Sequence, residues 1–284
     1  MIKDLKLEKL GKSISIKEIL ESIECCEKDT VYIGGSLIEG IIEPYSRGMG
    51  NKYSDLDIFI IREHSHFLRT DCVYSEKIKK TCFKVVNGIG CDIEIYDMER
   101  ILQVIESISK AEIQEDERVL NYIKYPEGWD LWTLNSFYNR MHSSICILGE
   151  KKYLYLKENL KIQKFMEIYK YHLVNEIDNK IDDVKGNIDC NELFTALLCM
   201  RDICNDLMQL ILLNSQIMCD RKKWVWLKYN NYVVDNDEKK EFYKKVKYIL
   251  FDCIPEKEIE SKLVEFMSQI EHEIENILIG EIDI

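Results

Sequence analysis

Two aspartates separated by one residue, Asp55-Leu56-Asp57, head the apolar run Ile58-Phe59-Ile60-Ile61. Alternate side chains of an extended strand leave the same face, so these carboxylates project together, about 6 to 7 Å apart along the strand. Paired anions repel and lose hydration, which is costly unless a cation compensates. Hard oxygen ligands with no His or Cys beside them select Mg²⁺, with Mn²⁺ as the alternative, over zinc. Upstream, Val31-Tyr32-Ile33 runs into Gly34-Gly35-Ser36, the pattern of a strand that stops at glycines before a helix. N–H groups at a helix start, with Gly35 allowing close approach and Ser36 adding a hydroxyl, can cradle phosphoryl oxygens. A further strand, Cys91-Asp92-Ile93-Glu94-Ile95, puts Asp92 and Glu94 on one face and offers a third carboxylate.

The elements that must hold these residues follow from periodicity. Ile16, Ile19, Leu20 and Ile23 recur at spacings of three and four, which predicts a first helix over 14–27. The stretch 40–52, with Pro44, Gly48, Gly50 and Asn51, reads as a loop, and 56–61 as a strand. Residues 82–86 and 91–96 flank Asn87-Gly88 and predict a β-hairpin. Asp97 is placed to cap a helix running through Ile101, Leu102 and Ile105. After Tyr125-Pro126-Glu127-Gly128 the pattern turns helical, and 129–284 reads as five to seven helices with no strand.

The order G-S-x-x-x-G, D-x-D and apolar-strand aspartate, over residues 31–97, resembles the nucleotidyltransferase fold shared by DNA polymerase beta, the poly(A) and CCA-adding enzymes and the antibiotic nucleotidyltransferases. The resemblance implies an α+β protein: a catalytic domain over 1–125, with a short mixed sheet flanked by helices, followed by a helical acceptor-binding domain over 126–284. It implies that Gly35 and Ser36 hold the triphosphate tail and that Asp55 and Asp57 bind two Mg²⁺ ions. Asp92, favoured over Glu94, joins one metal and helps activate the attacking hydroxyl. Two metals about 3.5 to 4 Å apart clamp the attacking and leaving oxygens of an in-line displacement. No GxxxxGK[ST] sequence and no kinase HRD or DFG signature is present, which disfavours a kinase or ATPase.

The layout of the helical half is similar to that of lincosamide and aminoglycoside nucleotidyltransferases. Within it, Arg140 and His142 are candidates for acceptor contact together with Glu94, and Lys223, in the run Arg221 to Lys228 with its two tryptophans, for nucleotide contact. Structural roles for these residues weigh at least equally. His64 and His66 read as exposed loop residues past the end of the metal strand, and Arg201 with Asp202 as a buried structural pair.

The 284 residues include 39 basic and 51 acidic side chains, for a net charge of −12 and a pI near 5.1. That argues against a protein built to grip polyanions and suits a neutral or cationic partner. No run approaches the roughly 20 apolar residues of a membrane span, and the N-terminus lacks the apolar core of a signal peptide, so the expected compartment is the cytoplasm. Eleven cysteines, odd in number and irregular in spacing, read mostly as buried thiols and not as a zinc site. A homodimer is compatible with the sequence. The leading expectation is Mg²⁺-dependent transfer of a nucleoside monophosphate, AMP by preference, from a nucleoside triphosphate (ATP-binding) to a hydroxyl of a small molecule such as an aminoglycoside-like antibiotic. The alternatives are transfer to tRNA or protein, as in a toxin, and an inactive nucleotide-binding regulator.

Overall fold

The computed structural model describes residues 4–112, 123–236 and 239–279. It divides into two compact units, one taking in the chain to Glu112 and Ile123–Phe165, the other running from Met166. The protein is α+β, with a mixed sheet in its N-terminal half and a helical C-terminal region.

The first unit opens with a hairpin of β1 (Asp4–Leu7) and β2 (Lys12–Ser15), turning at Gly11 with φ 61°. The helix α1 (Ile16–Ser22) follows at once. The single helix expected over 14–27 is therefore shorter. Ser15 ends β2 and caps α1 through a reciprocal pair of bonds with Glu18, and that capping box fixes the start at Ile16.

The remaining elements are β3 (Thr30–Gly34), α2 (Ser36–Ile42), β4 (Leu56–Arg62), α3 (His64–Leu68), β5 (Tyr74–Ser75), β6 (Lys79–Val86), β7 (Ile89–Asp97), α4 (Met98–Lys110), α5 (Leu131–His142), β8 (Ile145–Leu148) and α6 (Glu150–Asn159). Six strands form one sheet in the order β5-β6-β7-β4-β3-β8, with β4 parallel to β7 and the other pairs antiparallel. The β6–β7 hairpin turns through Asn87 (φ 51°) and Gly88 (φ 70°), the left-handed pair that a two-residue turn needs. Helix α2 persists through Gly40, where a side chain would press on the Met49 carbonyl, so the loop expected from residue 40 begins later and folds back on that glycine.

The sheet is covered on both faces near its middle, which is why β4 reads as an almost unbroken apolar run. One face contributes Val31, Ile33, Leu56, Ile58, Ile60, Ile93 and Ile95 to a core shared with the β1–β2 hairpin and α1. The opposite face is aromatic. Tyr32 stacks on Phe59 with centroids 5.0 Å apart, and Tyr96 meets Phe137 of α5 at 5.2 Å.

The boundary expected near residue 125 is not where the first unit ends. Ile145–Leu148 pairs with β3 as the outermost strand of the sheet, so α5, β8 and α6 belong with the first unit. Four residues, Ile-Cys-Ile-Leu, are too short a strand to stand out in a helical surround.

The second unit is helical: α7 (Ile162–Asp189), whose first turn lies in the first unit, then α8 (Leu193–Asn214), α9 (Lys222–Val234), α10 (Lys240–Phe251) and α11 (Glu256–Ile279). The helix α8 packs against α9, α10 and α11, with Met200, Ile203, Leu207, Leu210 and Leu212 buried. Arg201 and Asp202 do not pair with each other as expected. Arg201 donates to the Ile249 carbonyl at 3.0 Å, and Asp202 receives Lys222 at 3.0 Å, because neighbours on a helix point about 100° apart and find different partners.

No helix among the described residues is long and apolar enough to cross a membrane. Of the eleven cysteines three are buried, two exposed and six half-buried, and none is in a disulfide. The expectation of mostly buried thiols thus holds only in part. Burial pushes the Cys25 and Cys91 thiols up to about 11.

Candidate active site

Hydrogen-bonded register, more than proximity in sequence, assembles the site. In the antiparallel pair Gly34 lies opposite Asp57, and in the parallel pair Asp57 lies opposite Asp92. Directly paired residues share a face, so the end of β3, the start of β4 and the first half of β7 present one row. This is the aromatic face of the sheet, since Asp57 alternates with Phe59 and Asp92 with Glu94 and Tyr96.

Two glycines make room for the D-x-D carboxylates. Gly35, at φ 74°, starts α2, and any side chain there would collide with the Asp57 carboxylate. That carboxylate therefore rests against the β3–α2 turn. Asp55 precedes β4 by one residue, and its carboxylate occupies the space that a side chain on Gly90 of β7 would need. Asp57 and Asp92 are half-buried, while Asp55 is exposed. At the turn, Ile38 and Glu39 donate their N–H groups to the Gly35 carbonyl at 3.0 and 2.9 Å. The N–H groups of Ser36 and Leu37 come before any acceptor inside the helix, as in every first turn.

Glu94, two residues beyond Asp92, sits in a different environment. It receives Arg140 at 3.0 Å, Lys79 at 3.3 Å and the Tyr96 hydroxyl at 2.7 Å. Burial alone would raise its pKa, but the Arg140 and Lys79 charges and the hydrogen bonds outweigh it and hold the carboxyl below the usual range. Arg140 is itself buried, with its guanidinium 5.2 Å above the Phe59 ring. Two more bonds fasten α5: Asn139 donates to Glu39 at 3.1 Å and Ser143 to Glu43 at 3.0 Å. The structure thus brings Gly35, Ser36, Asp55, Asp57 and Asp92 together, and draws the half-buried Glu94 and the buried Arg140 into an ion pair beside them.

His142 is half-buried at the end of α5, where its carbonyl accepts Lys157 at 2.9 Å. Lys223 belongs to the second unit, exposed on α9 with its ammonium 5.1 Å above Trp224. The rest of that basic run is dispersed, since Lys222 pairs with Asp202 and the buried Lys228 donates to the Met218 carbonyl at 2.6 Å. His64 and His66 are exposed, as expected, but on the short helix α3 and not in a loop, and each has a partner: His64 meets Asp97 at 2.7 Å and His66 meets the Cys26 sulfur at 3.3 Å. The hydrogen bond to Asp97, then its charge, raises the His64 pKa. Asp97 also caps α4 through the Glu99 N–H, as its position predicts.

Gly90 escaped the sequence reading. A glycine inside a strand, two residues before the acid that faces the D-x-D pair, is the signal that marks it.

Among the described residues no group of three or more His, Cys, Asp or Glu side chains is gathered as a ready-made metal cage. The donor set still fits Mg²⁺ or Mn²⁺. Mg²⁺ is ordinarily held by one or two carboxylates, with substrate phosphates and water completing the shell, and Asp57 opposite Asp92 supplies such a pair of hard oxygens.

No protein-family model matches the chain, and no curated protein matches it. Among solved structures it is similar to a nucleotidyltransferase-like protein from Exiguobacterium sibiricum, with a TM-score of 0.47 and 8% sequence identity, over 90% of this chain and 73% of that one.

Proposed function

We propose that the protein transfers a nucleoside monophosphate from a nucleoside triphosphate to a hydroxyl of a small molecule and releases pyrophosphate. One observation carries this reading: the glycine-serine turn, Asp57 and Asp92 stand in one row across β3, β4 and β7, with Asp55 beside them. A glycine-serine turn next to facing acids suits a substrate that brings both phosphate and divalent cation.

In this reading the β3–α2 turn binds the triphosphate through the first N–H groups of α2, which have no acceptor within the helix, and the Ser36 hydroxyl. Asp55, Asp57 and Asp92 would hold Mg²⁺ or Mn²⁺, whose charge would stabilise the phosphoryl oxygens and the leaving group. Asp92 takes the proton of the acceptor hydroxyl. The acceptor oxygen forms a bond to the α-phosphorus as the bond to the β-phosphate bridge oxygen breaks, and pyrophosphate departs with that electron pair. Glu94 and Arg140 keep α5 against the sheet and so fix the wall of the site. The excess of acidic groups favours a neutral or cationic acceptor over a nucleic acid.

The test is Mg²⁺-dependent pyrophosphate release from ATP, GTP, CTP and UTP, with pooled small-molecule hydroxyl acceptors, an aminoglycoside among them, and with total tRNA. Acceptor-dependent release that disappears in Asp57→Asn supports the proposal. Release only with tRNA moves the acceptor to nucleic acid, and silence in every well, with nucleotide still bound, makes the protein a nucleotide-binding regulator.

A further inference from the structure

Phe83 of β6 is the register partner of Asp92, so its ring leaves the sheet on the carboxylate face, one strand further from the Gly35 turn. Val85, on the same face, pairs with Gly90, the residue whose missing side chain accommodates Asp55. Tyr74 of β5 sets its ring edge-on to Phe83 with centroids 6.1 Å apart. Phe83, Tyr74 and Val85 are 52%, 62% and 75% exposed. Earlier on this face of β6 the residues are Lys79 and Thr81, the polar types expected of a face turned to water. The apolar stretch begins only where the strand passes Asp92.

We infer that Phe83, with Tyr74 and Val85 beside it, is the acceptor platform, and that it selects a small alcohol carrying its hydroxyl next to a planar apolar ring. This rests on the transfer reading above, because it takes Asp92 as the group facing the acceptor hydroxyl. The order Gly34, Asp57, Asp92, Phe83 across four strands places nucleotide and acceptor at opposite ends of the acidic row. An in-line displacement needs that opposition of attacking and leaving oxygens. Neighbouring strands lie about 4.8 Å apart, so a ring stacked on Phe83 brings a hydroxyl one or two bonds away to Asp92.

Charge around the platform points to a small alcohol as occupant. Lys79, the lysine of β6 on this face, is engaged by Glu94. Lys80 and Lys84 leave the other face and donate to the carbonyls of Thr70 and Ser22. A single strand of nucleic acid needs cations along its phosphates as well as rings for its bases, and here the rings adjoin carboxylates instead.

Ligand-observed NMR on the full chain tests the platform without requiring turnover, using 2-naphthalenemethanol and 2-(4-hydroxyphenyl)ethanol against sorbitol and myo-inositol. The expected result is that the ring alcohols bind wild type, weaken about tenfold in Phe83→Ala and recover in Phe83→Trp, with Mg-ATP affinity unchanged within about twofold. Equal binding to wild type and Phe83→Ala, or polyols binding as well as ring alcohols, overturns the inference. So does a dimer in sedimentation that Phe83→Glu disperses, or a single-stranded oligonucleotide that displaces the ring alcohols in a Phe83-dependent way. If no triphosphate releases pyrophosphate under any condition, the transfer reading falls, while the Phe83 dependence of binding still decides the platform.

Discussion

Asp92 and Glu94 are two residues apart on one face of one strand, yet they occupy opposite electrostatic settings. Across the parallel pair Asp92 faces another acid, Asp57, whereas Glu94 faces Phe59 and is reached by Arg140, Lys79 and Tyr96. The carboxyl groups are chemically alike, and the cross-strand neighbours set their roles. A carboxylate met by two cations is a fastener, whereas one set opposite a second carboxylate meets a repulsion that a divalent cation would relieve. The two rungs also divide the face spatially: the facing acids lie at the end nearest the Gly35 turn, the ion-paired cluster further along.

The contrast breaks most visibly under isosteric neutralisation. Asp92→Asn should lower Mg²⁺-dependent pyrophosphate release at least about a thousandfold, with the circular-dichroism melt retained. Glu94→Gln should do the reverse and cost roughly 3 kcal/mol in denaturant titration, since it removes the negative charge that Arg140 and Lys79 both meet in a largely desolvated cluster. Similar activity losses in both variants, with no loss of stability in Glu94→Gln, would erase the distinction. Its pH dependence sharpens the point. The folded Glu94 carboxyl lies below its ordinary 4.5, so its contribution is present above that value and lost as pH falls through the folded pKa. The wild-type stability curve should therefore be steeper than that of Glu94→Gln below about pH 4.5.

A finer test concerns placement alone. Gly90 is in a strand and has no positive φ, so Gly90→Ala adds no backbone strain and only evicts the Asp55 carboxylate. Activity should fall about ten- to a hundredfold while the melting temperature stays nearly constant, because misplacing a group by about 1 Å has that scale of effect. Gly35→Ala would displace Asp57 as well, but at φ 74° it strains the turn and confounds the two effects.

The smallest expected effect lies at the far end of β7, where His64 meets Asp97. Its folded pKa is raised, so the pair stabilises fully below the ordinary 6.5 and loses its contribution as pH rises through the folded value. A titration of the His64 ring resonances by NMR should show the raised midpoint, and Asp97→Asn should return it toward 6.5. Activity at fixed pH should be unaffected.

The legible parts of the fold are those with strong local causes. Asn87-Gly88 forces a two-residue turn, Asp97 caps its own helix, and the alternation in β4 and β7 dictates which acids share a face. The first helix starts two residues later than expected because a strand of four residues, Lys12–Ser15, has no periodicity long enough to compete with a run of isoleucines. Strand β8 escaped for the same reason, and with it the end of the first unit.

Within the site, the sequence alone determined the residue types, their alternation and the glycine at the head of α2. It could not determine the register of β7 against β4, which is a contact between segments some thirty residues apart. A slip of one residue would have turned Asp92 to the other face, and a slip of two would have set Glu94 opposite Asp57. Nor could it show that Arg140, from a helix beyond the hairpin, would be buried against Glu94. Local geometry is written in neighbouring residues, but which acid meets an acid and which meets a cation is settled only when distant strands and helices pack.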